Sequence, residues 1–282
     1  MSNPAQIQST IRSIAPVGDY FHVVLEAPSI AAQVEPGHFV AVAVGGIGSG
    51  MLLRRAFSIH RATDGDSIEV IFAAHGQGTQ WLATQRAGDV IDIVAPLGKP
   101  FALPRQGIPC VLVAGGYGSA PMGMLAQALK DRGCSVEVIL GASTQGKLFG
   151  VLDLMQDADN VIVTTDDGSS GIRGRVTDVL PEVLTRTESR AVYACGPMGM
   201  LQAVAQVSAE HNAYSQCAVE ESMACGIGVC MTCVLPVVGD DGVTRMVRSC
   251  VEGPVFRGDR VRWDDVDTIP ADVFGAPTGG GH

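Results

Sequence analysis

The chain has 282 residues, 46% of them hydrophobic, and a mean hydropathy of +0.26. That length accommodates two domains and a small appendage, since domains commonly run about 100–200 residues. A formal net charge of -10 argues against nucleic acid or an anionic membrane as partner, because both are held chiefly by positive charge.

No apolar run reaches the roughly 18–20 residues of a membrane span, and the start MSNPAQIQST lacks the basic stretch and apolar core of a secretory signal. A cytoplasmic chain acting on small molecules or other proteins is expected.

From about residue 5 to 103, apolar runs at 21–27, 38–44, 57–62, 67–74 and 89–98 are separated by Gly, Pro and Asp. Short strands with such breaks predict an antiparallel β-barrel or sandwich, with a loop at 45–50 and a short helix at 79–83. Within it, LLRRAFSIH sets Arg54 and Arg55 before Phe57 and Ser58. Guanidinium groups suit a flavin pyrophosphate, the aromatic can lie near the isoalloxazine, and the hydroxyl can bond to the ring edge. A plain strand with alternating Arg, Phe and Ile explains these residues equally well by itself. The balance moves towards FAD with HGQGTQWLA, where Gly76, Gly78 and Thr79 open the helix and can offer backbone amides to phosphate. His75 reads as structural.

From residue 108 the pattern changes. Strands at 109–116, 135–143, 160–168 and 191–196 alternate with helices at 119–133, 148–156, 176–184 and 198–212, which predicts a parallel, doubly wound α/β sheet. CVLVAGGYGSAPM delivers Gly115, Gly116 and Gly118 to a helix start, a place suited to a dinucleotide pyrophosphate. It departs from G-x-G-x-x-G, and a tight β-to-α turn is the competing explanation. YACGPMGM puts Cys195, Gly196 and Pro197 at the carboxyl end of a late strand, where open α/β sheets hold their ligands. Cys195 reads at least as well as a small polarizable lining residue as it does a nucleophile. The stretch SVEVILGASTQGKLFG lacks a Ser and Arg cluster for a 2′-phosphate, which leans towards NAD over NADP, with Ser143 and Lys147 leaving the question open.

Beyond about residue 216 the segment becomes Cys- and Gly-rich. CGIGVCMTC and RSCVEGPVF give C-x4-C-x2-C-x16-C through Cys225, Cys230, Cys233 and Cys250, the plant-type 2Fe-2S spacing in its first three ligands. Two irons need four soft thiolates, and Gly226 and Gly228 let the backbone approach the sulfides. Zinc is the main alternative, although zinc ribbons favour two C-x2-C knuckles and this chain has one. The other four cysteines, Cys110, Cys134, Cys195 and Cys217, read as buried small apolar residues. The expected division is 1–104 for an FAD-binding β-barrel, 105–215 for an NAD-binding α/β domain, 216–265 for a 2Fe-2S domain and 266–282 for a flexible tail.

Taken together, LLRRAFSIH, GQGT, AGGYGSAPM, TDDGSSGIRGRVTD, YACGPM, EESMACGIGVC and CVEGPVF resemble the electron-transfer subunits of class 1B dihydroorotate dehydrogenases, in the ferredoxin-reductase superfamily. The resemblance covers nearly the whole chain. It implies that Arg55, Ala56, Phe57 and Ser58 carry the flavin, helped by Ile71, Phe72, Ala73, Gly78 and Thr79, and that the four cysteines hold the cluster. Ala56 departs from the residue, commonly Pro, that the family places there. The resemblance further implies a catalytic FMN-bearing barrel subunit as partner, a hetero-oligomer such as a heterotetramer, and no substrate-oxidising residue in this chain. Electrons would pass from that partner through the cluster and FAD to NAD+ in pyrimidine biosynthesis. The alternatives are an NAD(P)H-ferredoxin or transhydrogenase-type reductase subunit and, from another class, a regulatory zinc or flavin protein.

Overall fold

The computed structural model describes residues 3–276 apart from Ile47 and Asp64. Its first unit is a closed antiparallel barrel made of β1 (Ala5–Val17), β2 (Tyr20–Glu26), β3 (Phe39–Val42), β4 (Arg55–Thr63), β5 (Ser67–Phe72) and β6 (Val90–Leu97), in the order β1-β2-β5-β4-β3-β6. Helix α1 (Pro28–Ala31) and helix α2 (Gln77–Ala83) fill the connections after β2 and β5. Inward residues of every strand, among them Ile11, Val23, Val40, Ile59, Val70 and Ile93, share one buried core with Leu82 of α2. Period-two alternation explains this, because one face of each strand must leave water while the other stays solvated.

Strand β1 escapes the sequence reading although it is 13 residues long. Its apolar positions Ile7, Ile11 and Ile14 are spaced like a helix face, and a bulge between Ile11 and Ser13 produces that spacing. The extra residue resets the alternation and turns Ile14 back to the barrel.

The second unit contains β7 (Pro109–Gly115), α3 (Met122–Lys130), β8 (Ser135–Ala142), α4 (Val151–Asp157), β9 (Asn160–Thr165), β10 (Ile172–Arg173), α5 (Val176–Thr187), β11 (Ala191–Cys195), α6 (Met198–Glu210) and β12 (Tyr214–Ala218). The chain winds outward from β7 to β10, then returns to place β11 and β12 on the other side of β7. All these strands run parallel. Val111 and Val113 face Leu180, Leu201 and Val204 of α5 and α6, whereas Leu112 and Ala114 face Met122, Leu125 and Leu129 of α3. A sheet covered on both sides requires such near-continuous apolar strands. The order reverses between β7 and β11, and their carboxyl ends form the crevice where such sheets bind ligands. Cys110, Cys134, Cys195 and Cys217 are buried, as expected of small apolar residues.

The C-terminal segment is less separate than its composition suggests. Strand β12 contains Gln216, so the expected break at 215/216 falls inside a strand of the nucleotide sheet. After the hairpin β13 (Val234–Val238) and β14 (Thr244–Arg248), strand β15 (Val255–Arg257) pairs antiparallel with β12 and closes that sheet. Within the expected flexible tail 266–282, residues up to 276 make contacts: the Phe274 N–H donates to the Thr244 carbonyl at 2.8 Å, Asp272 pairs with Arg262 at 2.6 Å, and Val273 is buried. The remaining residues, 277–282, lie outside the described part.

Barrel and nucleotide sheet meet at His60, whose Nδ1–H donates to the Ala120 carbonyl at 2.6 Å. Burial lowers the imidazole below its ordinary 6.5, the Ala120 bond opposes that, and Arg61, Glu69 and His22 contribute smaller charges of both signs. The unfolded chain therefore takes up a proton before the folded one does. Stability from neutral His60 is complete above about pH 6.5 and is lost as pH falls through that value towards the depressed one. The melting temperature is expected to drop between pH 7.5 and 5.5, and less steeply in His60→Asn. An unchanged slope would remove His60 from the account, leaving buried His38, which shifts the same way.

Candidate redox sites

The outer start of β4 and the end of β5 open a cavity of about 460 Å³ towards the nucleotide sheet. Arg55, Ala56, Phe57, Ser58, Ile71, Phe72, Ala73, Thr79 and Gly118 of the sequence-derived set line it. Arg54 does not join them, because its guanidinium is bound to Asp92 through a carboxylate pair and the backbone carbonyl. Arg55 Nη1 donates to the Leu53 and Arg54 carbonyls at 2.8 and 3.3 Å and leaves Nε and Nη2 without a hydrogen bond among the described residues. Gly78 stands behind the cavity wall: a Cβ there would lie 3.0 Å from Arg55 Nε, so glycine lets the guanidinium settle against α2. Thr79 hydroxyl accepts the Gly76 N–H at 3.1 Å and fixes the first turn of that helix.

A second cavity, of about 670 Å³, opens at the carboxyl ends of β7, β8, β9 and β11. Gly115, Gly116 and Pro197 line it. Cys195 and Gly196 do not border either cavity. The Cys195 carbonyl instead packs against Gly118, where a Cβ would come within 2.5 Å of it, so this glycine permits the turn after β7 to approach the end of β11 closely. Burial raises the Cys195 thiol pKa, which keeps it protonated and supports a packing role. Ala73, His75, Tyr117 and Glu220 border both cavities. Burial in this cleft also raises the carboxyl pKa of Glu220.

The third site lies beside the barrel. Cys233 and Cys250 pack with Phe39, Ala41 and Leu97, while Cys230 is exposed on the loop. Cys225 and Cys230 belong to the 225–233 loop, and Cys233 and Cys250 are buried together against the barrel. The amides of Ile227 and Val229 point to Cys225 Sγ at 3.5 and 3.3 Å, and the Thr232 hydroxyl donates to Cys230 Sγ at 3.1 Å. The Thr232 hydroxyl and amide, together with Cys225, pull the Cys230 thiol down to about 6. Among the described residues no three metal-binding side chains converge on a single centre. One zinc ion needs four donors around one point, whereas two bridged irons take two thiolates each. Four soft thiolates within one segment, with amide donors at sulfur, fit a 2Fe-2S group.

Residues 220–262, which contain all four thiols, match the iron-sulfur cluster binding domain of dihydroorotate dehydrogenase B, and residues 112–206 match the oxidoreductase NAD-binding domain. The chain is 34% identical over 245 residues to the dihydroorotate dehydrogenase B (NAD(+)) electron transfer subunit of Desulforamulus reducens, covering 86% of this chain and 93% of that one. This chain belongs to the family of dihydroorotate dehydrogenase B electron-transfer subunits. Among solved structures, a chain of an NADH-dependent reduced ferredoxin-NADP oxidoreductase superposes with a TM-score of 0.81 at 28% identity, covering 92% of this chain and 91% of its own. A ferredoxin NADP+ reductase from Neisseria gonorrhoeae, solved with FAD and NADP, shares the fold at a TM-score of 0.62 and 19% identity, over 73% of this chain and 91% of its own.

Within the dihydroorotate dehydrogenase B family, the Ala56 departure leaves the strand intact, since Ala56 pairs with Ala41 and Arg55 with Val42 in an unbroken β3–β4 register. The sequence reading quoted Glu220, Glu221, Ser222 and Met223 only within EESMACGIGVC and gave them no site role, yet they follow β12 and line the flavin-type cavity. Their place immediately before Cys225 is the signal that could have found them, because the chain must leave the sheet and cross the barrel mouth to reach the cluster loop. It also missed Tyr117, whose ring meets Tyr20 edge-on at 6.0 Å.

Proposed function

We propose that this chain carries electrons from a dihydroorotate-oxidising, FMN-bearing partner subunit to NAD+ in pyrimidine biosynthesis. The observation that carries the reading is the contiguity of the three sites. The 460 Å³ cavity shares Ala73, His75, Tyr117 and Glu220 with the nucleotide cavity on one side. On the other side its lining residues Phe39 and Met223 belong to the cluster of side chains packed on Cys233 and Cys250. When bound, a 2Fe-2S cluster exchanges single electrons, nicotinamide exchanges a hydride, and FAD between them can do both. Arg55 and the α2 turn would hold the FAD phosphates, Phe57 and Ser58 the ring, Gly115 and Gly116 the NAD pyrophosphate, and the four cysteines the irons. In this reading 1–104 forms the flavin unit, 105–215 the nucleotide unit and 216–265 the cluster unit, the last sharing β12 with the sheet.

The partner surface is supported by apolar side chains around the exposed thiol: Ile227, Val229 and Met231 are exposed, Val229 to 76%. Among the described residues no helix is long and apolar enough to cross a membrane. We place the complex in the cytoplasm, where NAD+ is available. Anaerobic co-purification with the barrel subunit, followed by dihydroorotate-dependent NAD+ reduction, tests the reading. NADH formed only when both chains are present sustains it. A complex formed instead with a ferredoxin-dependent or transhydrogenase partner would favour the second reading, for which the 28% identical oxidoreductase chain is the motive.

A further inference from the structure

A hairpin turn of the barrel forms part of the nucleotide cavity. Val17 of β1 pairs with Tyr20 of β2 across Gly18 and Asp19, with Gly18 at φ +57°. A two-residue hairpin turn needs a left-handed first residue, which glycine supplies without steric cost. This turn rests on a second one, Gln145–Lys147, which follows β8. A Cβ on Gly18 would lie 3.7 Å from the Gly146 carbonyl oxygen, and one on Gly146 would lie 3.3 Å from Asp19 Oδ2. Asp19, Tyr20 and Lys147 all line the 670 Å³ cavity, so the contact between the two turns is a piece of its wall.

Tyr20 fixes that contact. It is 5% exposed, and its ring packs edge-on to Tyr117 at 6.0 Å and to Phe149 at 6.2 Å. One barrel side chain thus touches the turns that follow both β7 and β8. Its hydroxyl donates to the Lys147 carbonyl at 3.0 Å. Burial, and then the charge of Asp19, raise the phenol above its ordinary 10.0, so it stays a donor at neutral pH. From the nucleotide side, the Ser169 hydroxyl accepts the Gln145 N–H at 2.7 Å. The turn is therefore held at its start by its own unit and at its end by the barrel.

The Lys147 side chain is left over. It is exposed, and its ammonium forms no ion pair among the described residues. Lys147 and Arg175 supply the lysine and arginine charge of the cavity lining. An ammonium on a long flexible stem meets an anion reliably only where its main chain is fixed.

We propose that Tyr20 is a positioning residue of the nicotinamide dinucleotide site: its hydroxyl holds the 145–147 turn so that the Lys147 ammonium meets a phosphate of the cofactor. This rests on the reading of the cavity as the dinucleotide site. The flavin barrel thereby sets the affinity of a site whose glycine motifs belong to the other unit. His60, bonded to the Ala120 carbonyl and edge-on to Phe149 at 5.4 Å, still joins the two units when the Tyr20 hydroxyl is removed.

The test uses the full chain with its flavin and cluster, and ferricyanide as acceptor, so that no partner subunit is needed. Tyr20→Phe is expected to raise KM for NADH roughly threefold to tenfold, the range for one neutral hydrogen bond, with kcat within about twofold and FAD affinity unchanged. Lys147→Ala should raise KM at least about tenfold, since it removes a hydrogen bond to a charged group. In the double variant KM should match that of Lys147→Ala alone, because two residues that act through one contact are not additive. Calorimetry with ADP-ribose should give the same pattern without any redox step. An unchanged KM in Tyr20→Phe overturns the assignment. So does a Tyr20→Phe effect that multiplies that of Lys147→Ala, or one that falls on kcat or on FAD affinity. If the wild type neither oxidises NADH nor binds ADP-ribose, the dinucleotide reading itself falls, and the role of Tyr20 with it.

Discussion

Cys230→Ser is expected to abolish dihydroorotate-dependent NAD+ reduction in the assembled complex while leaving NADH oxidation by ferricyanide within about threefold of wild type. Altering groups that merely support metal ligands already costs roughly 10- to 100-fold, so loss of a ligand should cost at least about a hundredfold. Serine offers a harder oxygen with a far higher pKa, which a soft iron-sulfur group disfavours. Cys230 is the informative position among the four proposed ligands because it is exposed, whereas Cys233 and Cys250 are packed against Phe39 and Leu97 of the barrel. Replacing either of those would disturb the barrel contact as well as the cluster. The residues shared by the flavin and nucleotide cavities, Ala73, His75, Tyr117 and Glu220, all lie outside the 225–233 loop. Visible absorbance should therefore show flavin retained and cluster bands lost. Equal loss of both activities in a folded, flavin-loaded variant would sink the order of carriers.

How far a sequence discloses such a site depends on whether the chemistry itself dictates spacing. Thiolates around a small rigid cluster must fall at short fixed intervals, so the iron-sulfur segment that the family match covers, residues 220–262, was readable from the spacing of Cys225, Cys230 and Cys233 without any fold. The β-α alternation from β7 to α6 was equally readable, because a doubly covered parallel sheet needs long apolar runs. The barrel was legible except for β1, where a bulge disguises a strand as a helix face. Glu220 to Met223 were quoted as part of EESMACGIGVC, but their place in the cavity was hidden for another reason: it comes from where the chain crosses between two units, and no periodicity records a crossing. Cys195 shows the reverse error, since a motif position suggested a lining side chain where the structure has a carbonyl packed on Gly118. In the tail, the sequence gives no sign of the few contacts, including Arg245 over the Phe274 ring at 5.4 Å, that join residues 270–276 to β14.

Arg55→Ala is expected to weaken FAD binding roughly 10- to 150-fold, the range for losing hydrogen bonds to a charged group. The neighbouring arginine cannot replace it, because Arg54 is committed to Asp92 on the barrel wall. Arg55 makes no ion pair among the described residues, and its one short bond runs to the Leu53 carbonyl, so truncation should leave the barrel folded. Arg55→Lys should recover only part of the affinity, since an ammonium keeps the charge but loses the planar fork that grips two phosphate oxygens. Gly78→Ala offers an independent route to the same defect: its Cβ would press on Arg55 Nε at 3.0 Å and on Val44 Cγ2 at 2.9 Å, displacing the guanidinium without removing it. Titration of flavin-free protein with FAD measures all three variants, and cluster absorbance serves as the control for folding of the C-terminal segment. If Arg55→Ala held FAD as tightly as the wild type, the phosphates would have to be bound elsewhere, leaving the α2 turn around Thr79 as the remaining anchor on that side of the cavity.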